Sequence, residues 1–146
     1  MEKLDRRILA LLARDGRMSY TDIGKETGLS TSAAQQRVRR LEQRGVIKGY
    51  HARMDAEQLG LLVTAFVAIK PFDPSQPDDA PERLRHIEEI ISCYSVAGDA
   101  SYLLKVQVPS MGHLESLLAK IRSDGKVSTQ TTTVLSIPYE DRPQLH

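Results

Sequence analysis

The segment SYTDIGKETGLSTSAAQQRVRRLEQRG, residues 19–45, reads as two capped helices joined by a tight turn. The Ser19 hydroxyl is placed to accept from the free amides of a first helical turn, so a short helix is predicted from Tyr20 to Thr27 with Ile23 facing inward. Gly24 gives this helix a bare surface that another helix can approach closely. Gly28 can take the left-handed conformation that ends a helix. Leu29 then anchors the chain in the core, and Ser30 caps a third helix. On that helix Ala34, Val38 and Leu41 share one face. Ser32, Gln36, Arg39 and Gln43 fall on the opposite face, with Gln35 and Arg40 at its edges. Upstream, Leu4, Ile8, Leu11 and Leu12 make the apolar stripe of a first helix that stops at Asp15-Gly16.

The outer face of the third helix carries chemistry. Gln can make paired hydrogen bonds to adenine, and Arg to guanine or to phosphate. Arginines alone also decorate ordinary solvated faces. The short preceding helix, the Gly28 turn and the Leu29-Ser30 pair favour a helix-turn-helix instead. Ser32, Gln35, Gln36 and Arg39 are therefore expected to meet bases, and Arg40, Arg44 and Lys48 to meet phosphates. Arg37 lies nearer the inner face and is left between phosphate contact and structural role. After Gly45 the run Val46–Ala52 is β-prone and is expected to pack on the helices as a wing. Residues 1–50 hold 11 Lys/Arg against 6 Asp/Glu, and residues 51–146 hold 9 against 13. A basic front and an acidic back suggest two jobs, with the front half a candidate for polyanion binding.

The remainder divides into a connector, residues 51–60, and a second domain, residues 61–146. Leu61 to Lys70 is rich in Val, Phe, Ile and Ala and reads as a strand. PFDPSQPDDAP, residues 71–81, has four prolines and three aspartates and reads as a loop. Leu84, Ile87 and Ile91 mark an amphipathic helix from Glu82 to Ile91. Cys93 to Ala97 and Tyr102 to Val108 read as a hairpin turning at Gly98-Asp99. Leu114, Leu117, Leu118 and Ile121 place a helix from Met111 to Arg122, capped by Ser110 and broken at Gly125. Val127 to Ile137 reads as a last strand. The order β-α-β-β-α-β is the ferredoxin-like arrangement, so the chain is expected to be α+β: a winged or helix-turn-helix three-helix domain followed by a ferredoxin-like sandwich. Both helices of such a sandwich cover one sheet face, which leaves the other as a natural surface for a second copy.

At 146 residues the chain suits one ordinary domain or two small ones, and two small cores invite oligomerisation. No apolar run is long enough for a membrane helix. The charged start, Glu2, Lys3, Asp5, Arg6 and Arg7, is unlike a secretory signal. Cys93 is the single cysteine, which fits a reducing compartment, and the expected location is cytoplasmic, on the nucleoid. His51, His86, His113 and His146 are scattered without ligand spacing, so no metal site and no catalytic site are expected.

The segments LDRRILALLARDGR (4–17), TDIGKETGLSTSAAQQRVRRLEQRGVIKGY (21–50) and GDASYLLKVQVPSM (98–111) together resemble the Lrp/AsnC, or feast/famine, family of transcriptional regulators. The Pro-rich loop and the HIEEI and SCYSVAG stretches resemble its actinobacterial branch. The resemblance covers nearly the whole chain. It implies a DNA-binding regulator, most plausibly of amino-acid metabolism, that binds double-stranded DNA and assembles as dimers and further as octamers. It also implies an amino-acid effector held between dimers and no other cofactor. Carried over by position, the effector residues are Gly98, Asp99, Ala100 and Ser101 at the turn, Met111, and Thr132, Thr133 and Val134 on the last strand. The family's turn is usually Gly-Asp-aromatic-Asp-Tyr, whereas Ala100 and Ser101 stand here. A buried ammonium needs a countercharge, so either Asp99 supplies it, the ligand differs, or there is none. Read without the resemblance, Gly98-Asp99 is a hairpin turn and the Thr-rich run 128–133 is a set of exposed sheet positions. Two other functions fit the architecture. One is a DNA-compacting protein without a ligand. The other is a decarboxylase-like enzyme, which would need convergent His and Arg groups around His86 or His113.

Overall fold

The computed structural model describes residues 1–145. The chain divides into two compact units, one from Met1 to Arg53 and one from Met54 to Pro138; residues 139–145 group with the first unit and not with the sheet.

In the first unit α1 spans Lys3–Arg14, α2 Tyr20–Thr27 and α3 Thr31–Gln43. Ser19 Oγ accepts from the Asp22 amide and Ser30 Oγ from the Ala33 amide, so both expected caps form. Gly28 sits at φ 75°, a conformation that glycine adopts without strain. Ile8, Ile23, Ala34, Val38 and Leu41 are buried together, with Leu12, Leu29 and Ile47 packed around them. Gly24 does allow a close approach, but the approaching group is the turn and not a helix. A Cβ at this position would lie 2.5 Å from the Leu29 carbonyl oxygen, and the Leu29 amide bonds to the Gly24 carbonyl at 2.9 Å.

The expected wing is absent. Gly45 turns the chain at φ 74°, and the amides of Val46 and Ile47 both bond back to the Leu41 carbonyl, which satisfies the end of α3. Only Ile47 of this run packs on the core, and no strand forms among residues 1–62. A lone β-prone run has no ladder to join, so propensity yields to capping.

The second unit has β1 Val63–Pro71, α4 Ala80–Leu84, β2 Ile90–Ser95, β3 Tyr102–Val108, α5 Met111–Gly125 and β4 Val127–Thr133. The sheet order is β2-β3-β1-β4, with every neighbour antiparallel. This is the α+β, ferredoxin-like layout the sequence implies. Ala65, Val67 and Ile69 of β1 and Leu104, Val106 and Val108 of β3 point to one face. There they are buried against Leu84, Ile87, Leu114, Leu117 and Ile121. The alternate positions, including Phe66, Ala68 and Leu103, belong to the other face and stay only half-buried.

Three boundaries differ from the sequence reading. The helix expected over Glu82–Ile91 is five residues long and ends at Leu84. Leu84 and Ile87 are buried as predicted, but Ile87 reaches the core through a turn, its amide bonding to the Leu84 carbonyl at 3.0 Å. Ile90 already pairs with Val106, so the strand begins three residues early, with a register shift between Ile90 and Ser92. Secondly, α5 runs through Gly125, and Lys126 takes the left-handed position at φ 53°. Gly125 is small because the Leu84 side chain lies there, 3.1 Å from where a Cβ would stand. Thirdly, β4 stops at Thr133; Val134 donates to the Thr64 carbonyl and the chain leaves the sheet.

Candidate nucleic-acid interface and effector site

Side chains that cross between helices hold the three-helix unit together. Arg7 Nε donates to the Glu26 carbonyl at 2.9 Å, tying α1 to the end of α2. Thr31 Oγ1 meets Thr21 Oγ1 at 3.3 Å, tying the start of α3 to α2. Arg37 reaches Asp5 at 3.0 Å and Glu2 at 3.1 Å, tying α3 to α1. The Asp5 side chain is only 10% exposed, and the hydrogen bonds that Arg37 donates to Asp5 and Glu2 raise the guanidinium pKa further. Geometry thus gives Arg37 to the fold; its inward lean was the sequence signal.

The other basic groups of α3 are free. Ser32, Gln36, Arg39, Arg40, Arg44 and Lys48 are exposed, and Gln35 is half-buried. None of Arg39, Arg40, Arg44 and Lys48 has an ion-pair partner among the described residues. Ser32 lies at the N-terminal end beside the Ser30 cap, 3.3 Å between their hydroxyls. The helix therefore presents short polar groups at its N-terminal end, two glutamines next and arginines further along, which suits an edge-on approach to bases flanked by phosphates.

The eight residues proposed for an effector do not meet within one chain. Gly98–Ser101 lie at one end of the sheet, where Ser101 donates to the Ile69 carbonyl at 2.9 Å. Thr132 and Thr133 pair with Phe66 and Ala65, Val134 bonds Thr64, and Met111 follows β3 where Val108 pairs with Val63. Ala65 and Ile69 are four residues apart along β1, which is about 13 Å of strand. The strand segment beside the turn is instead Ser128–Gln130. With Ala68, Ile69, Lys70, Asp99 and Ala100 it lines an open cleft of about 320 Å³. Asp99 is 87% exposed and pairs with Lys70, whose Nζ lies 3.2 and 3.3 Å from its two carboxylate oxygens. Lys70 was not singled out from the sequence, and Ser128 and Gln130 entered only as part of the Thr-rich run, because only the β1–β4 register brings them to the turn.

His86 and His113 do not converge. His86 Nε2 meets Asp124 Oδ2 at 2.9 Å near the end of α5, whereas His113 Nδ1 meets Ser110 Oγ at 2.7 Å at its start. Eleven residues of helix separate Asp124 from His113, about 16 Å. His51 is exposed, and His146 lies outside the described residues. No group of three or more metal-binding side chains occurs among the described residues, and no helix is long and apolar enough to cross a membrane.

Residues 1–42 match the AsnC-type helix-turn-helix domain, and residues 64–144 match the Lrp/AsnC ligand binding domain. The chain is 52% identical over 145 residues to the HTH-type transcriptional regulator LrpA of Mycobacterium tuberculosis, covering 99% of this chain and 97% of that protein. It is 36% identical to the leucine-responsive regulatory protein of Escherichia coli, covering 92% of this chain and 85% of the relative. Among solved structures, the feast or famine regulatory protein from M. tuberculosis complexed with L-methionine superposes with a TM-score of 0.96 at 52% identity, covering 99% of both chains. E. coli AsnC superposes with a TM-score of 0.90 at 29% identity, covering 98% of this chain and 97% of the other. With a helix-turn-helix whose outer face is basic, followed along the chain by a four-stranded unit that matches the family's ligand binding domain, this chain belongs to the Lrp/AsnC family of DNA-binding transcriptional regulators.

Proposed function

We propose that the chain regulates transcription, most simply of genes of amino-acid metabolism, by reading double-stranded DNA with α3 while an amino acid bound to its second unit tunes that binding. The observation that carries the reading is the outer face of α3, where Arg39 and Arg40, with Arg44 just past the helix end, stand exposed without an ion-pair partner among the described residues. Ser32, Gln35, Gln36 and Arg39 read bases, and Arg40, Arg44 and Lys48 hold phosphates. The chain acts as a binding protein and not an enzyme, in the cytoplasm on the nucleoid, with no cofactor beyond its effector. The half-buried sheet face carrying Phe66, Ala68 and Leu103 joins a second copy, and dimers join further, as octamers. A dimer presents two recognition helices and so favours an inverted-repeat site.

The effector reading is supported by the match to a ligand-binding domain and by a relative's complex with L-methionine. It is also supported by the split of the proposed residues between the two ends of the sheet. The turn Gly98–Ser101 of one chain would face Met111 and Thr132–Val134 of another, so that assembly completes the pocket and the ligand reports on assembly.

The test is a gel-shift titration of the gene's own upstream DNA at low salt, with wild type and Arg39→Ala. Losing one base or phosphate contact costs about 1–3 kcal/mol, hence roughly a tenfold or larger loss of affinity. No shift with wild type would sink the reading. Equal binding to any DNA, indifferent to all amino acids, would replace it with the DNA-compacting alternative that Ala100 and Ser101 suggest.

A further inference from the structure

We infer that Lys70 is the effector's carboxylate-binding residue, with Asp99 beside it taking the ammonium group, so that the turn selects a zwitterion. This rests on the reading of the turn as an effector site. The Lys70 ammonium and the Asp99 carboxylate stand 3.2 Å apart at the rim of the cleft beside Ala68, Ala100, Thr129 and Gln130. The volume, about 320 Å³, lies at the small end of the range of ligand sites. Lys70 is held at its root, since its carbonyl accepts from Ser128 Oγ at 3.4 Å and its backbone is in register with Ser128.

The pair is exposed, 50% and 87%, so it is worth little and opens cheaply. An α-amino acid carries its two charges on groups attached to one carbon, so it can face both members of the pair once they part. Inserted between them, it exchanges one ion pair for two and brings no net charge into the cleft. A simple amine would meet only Asp99 and a simple carboxylic acid only Lys70, each forming one ion pair in place of the one it breaks. The missing second acid of the family's turn is then offset by a device of another kind. The ligand's ammonium is held by Asp99 alone, and its carboxylate meets a dedicated cation. The small residues Ala68 and Ala100 leave room for the ligand's own side chain.

The experiment is titration calorimetry of the full-length protein with L-methionine and with L-methionine methyl ester, at a pH where the ester's amine is protonated. Wild type, Lys70→Met and Lys70→Arg are compared, and near-identical thermal melts establish that the variants fold. Wild type should prefer the acid to the ester by about tenfold, the expected worth of one charged hydrogen bond. Lys70→Met should lose about tenfold in affinity for the acid and all preference between the two, and Lys70→Arg should restore both in large part. Lys70→Met that binds the acid as wild type does, or keeps the preference, overturns the assignment while leaving the effector reading standing. Wild type that gives no binding heat with L-methionine or, titrated in the same way, with any other of the twenty amino acids overturns both.

Discussion

Arg37 and Arg39 are two positions apart, yet the fold uses them in opposite ways. Arg37 is spent on Asp5 and Glu2, and Arg39 faces out with no ion-pair partner among the described residues. Arg37→Ala strands the buried Asp5 carboxylate, so the urea midpoint of unfolding should fall, whereas Arg39→Ala should leave it unchanged. Gly24 makes a sharper case. Its missing side chain is demanded by a backbone oxygen, which cannot rotate away as a side chain can. Gly24→Ala should destabilise by about 1–3 kcal/mol in urea unfolding, since the turn after α2 must move. The sequence reading had the close approach there but expected another helix to make it. The approaching group is the chain's own turn five residues on, and only the folded loop reveals that.

At the scale of elements, legibility follows locality. Helix α2 and the start of α3 were readable to the residue, because Ser19, Ser30 and Gly28 are caps whose partners lie three or four residues away. The hairpin strand β3 was readable because its alternation and its turn are local as well. By contrast α4, the start of β2 and the end of β4 depend on distant partners. Ile90 and Ile91 fit a helical stripe equally well until Val106 claims Ile90 for the sheet. The wing was over-read for the same reason: Val46 and Ile47 have strand propensity but no strand to pair with. The exposed basic face of α3 was legible because it is one side of one helix. The cleft at Lys70 was not, since three segments make it. The short α4 offers a pH test. Arg83 holds the Asp79 carboxyl below the usual carboxylate range, and Arg85 does the same for Glu82. A carboxylate lowered in the folded state contributes stability above its unfolded pKa and loses it as pH falls through the folded one. The thermal midpoint should therefore decline below about pH 4, and Asp79→Asn should flatten part of that decline in a melting series from pH 7 to pH 3.

For the whole molecule the central question is how two small units make one switch. The sheet's free face carries apolar side chains in mid-sheet, with Phe66 among them, and a carboxylate placed there would be desolvated by a partner copy. Phe66→Asp should reduce the sedimentation coefficient to that of a monomer and weaken DNA binding together with it. Dimerisation by another surface would leave the mass unchanged. The central claim joins this assembly to DNA recognition, and it is tested most directly by fluorescence anisotropy of labelled upstream DNA across a salt series, with and without L-amino acids. The account predicts tight binding whose log affinity falls linearly with log salt, with a slope reduced by about 0.9 when one phosphate-contacting arginine is removed, and a shift of the curve by at least one amino acid. Binding that is weak at low salt, or indifferent to both salt and every amino acid, would contradict it.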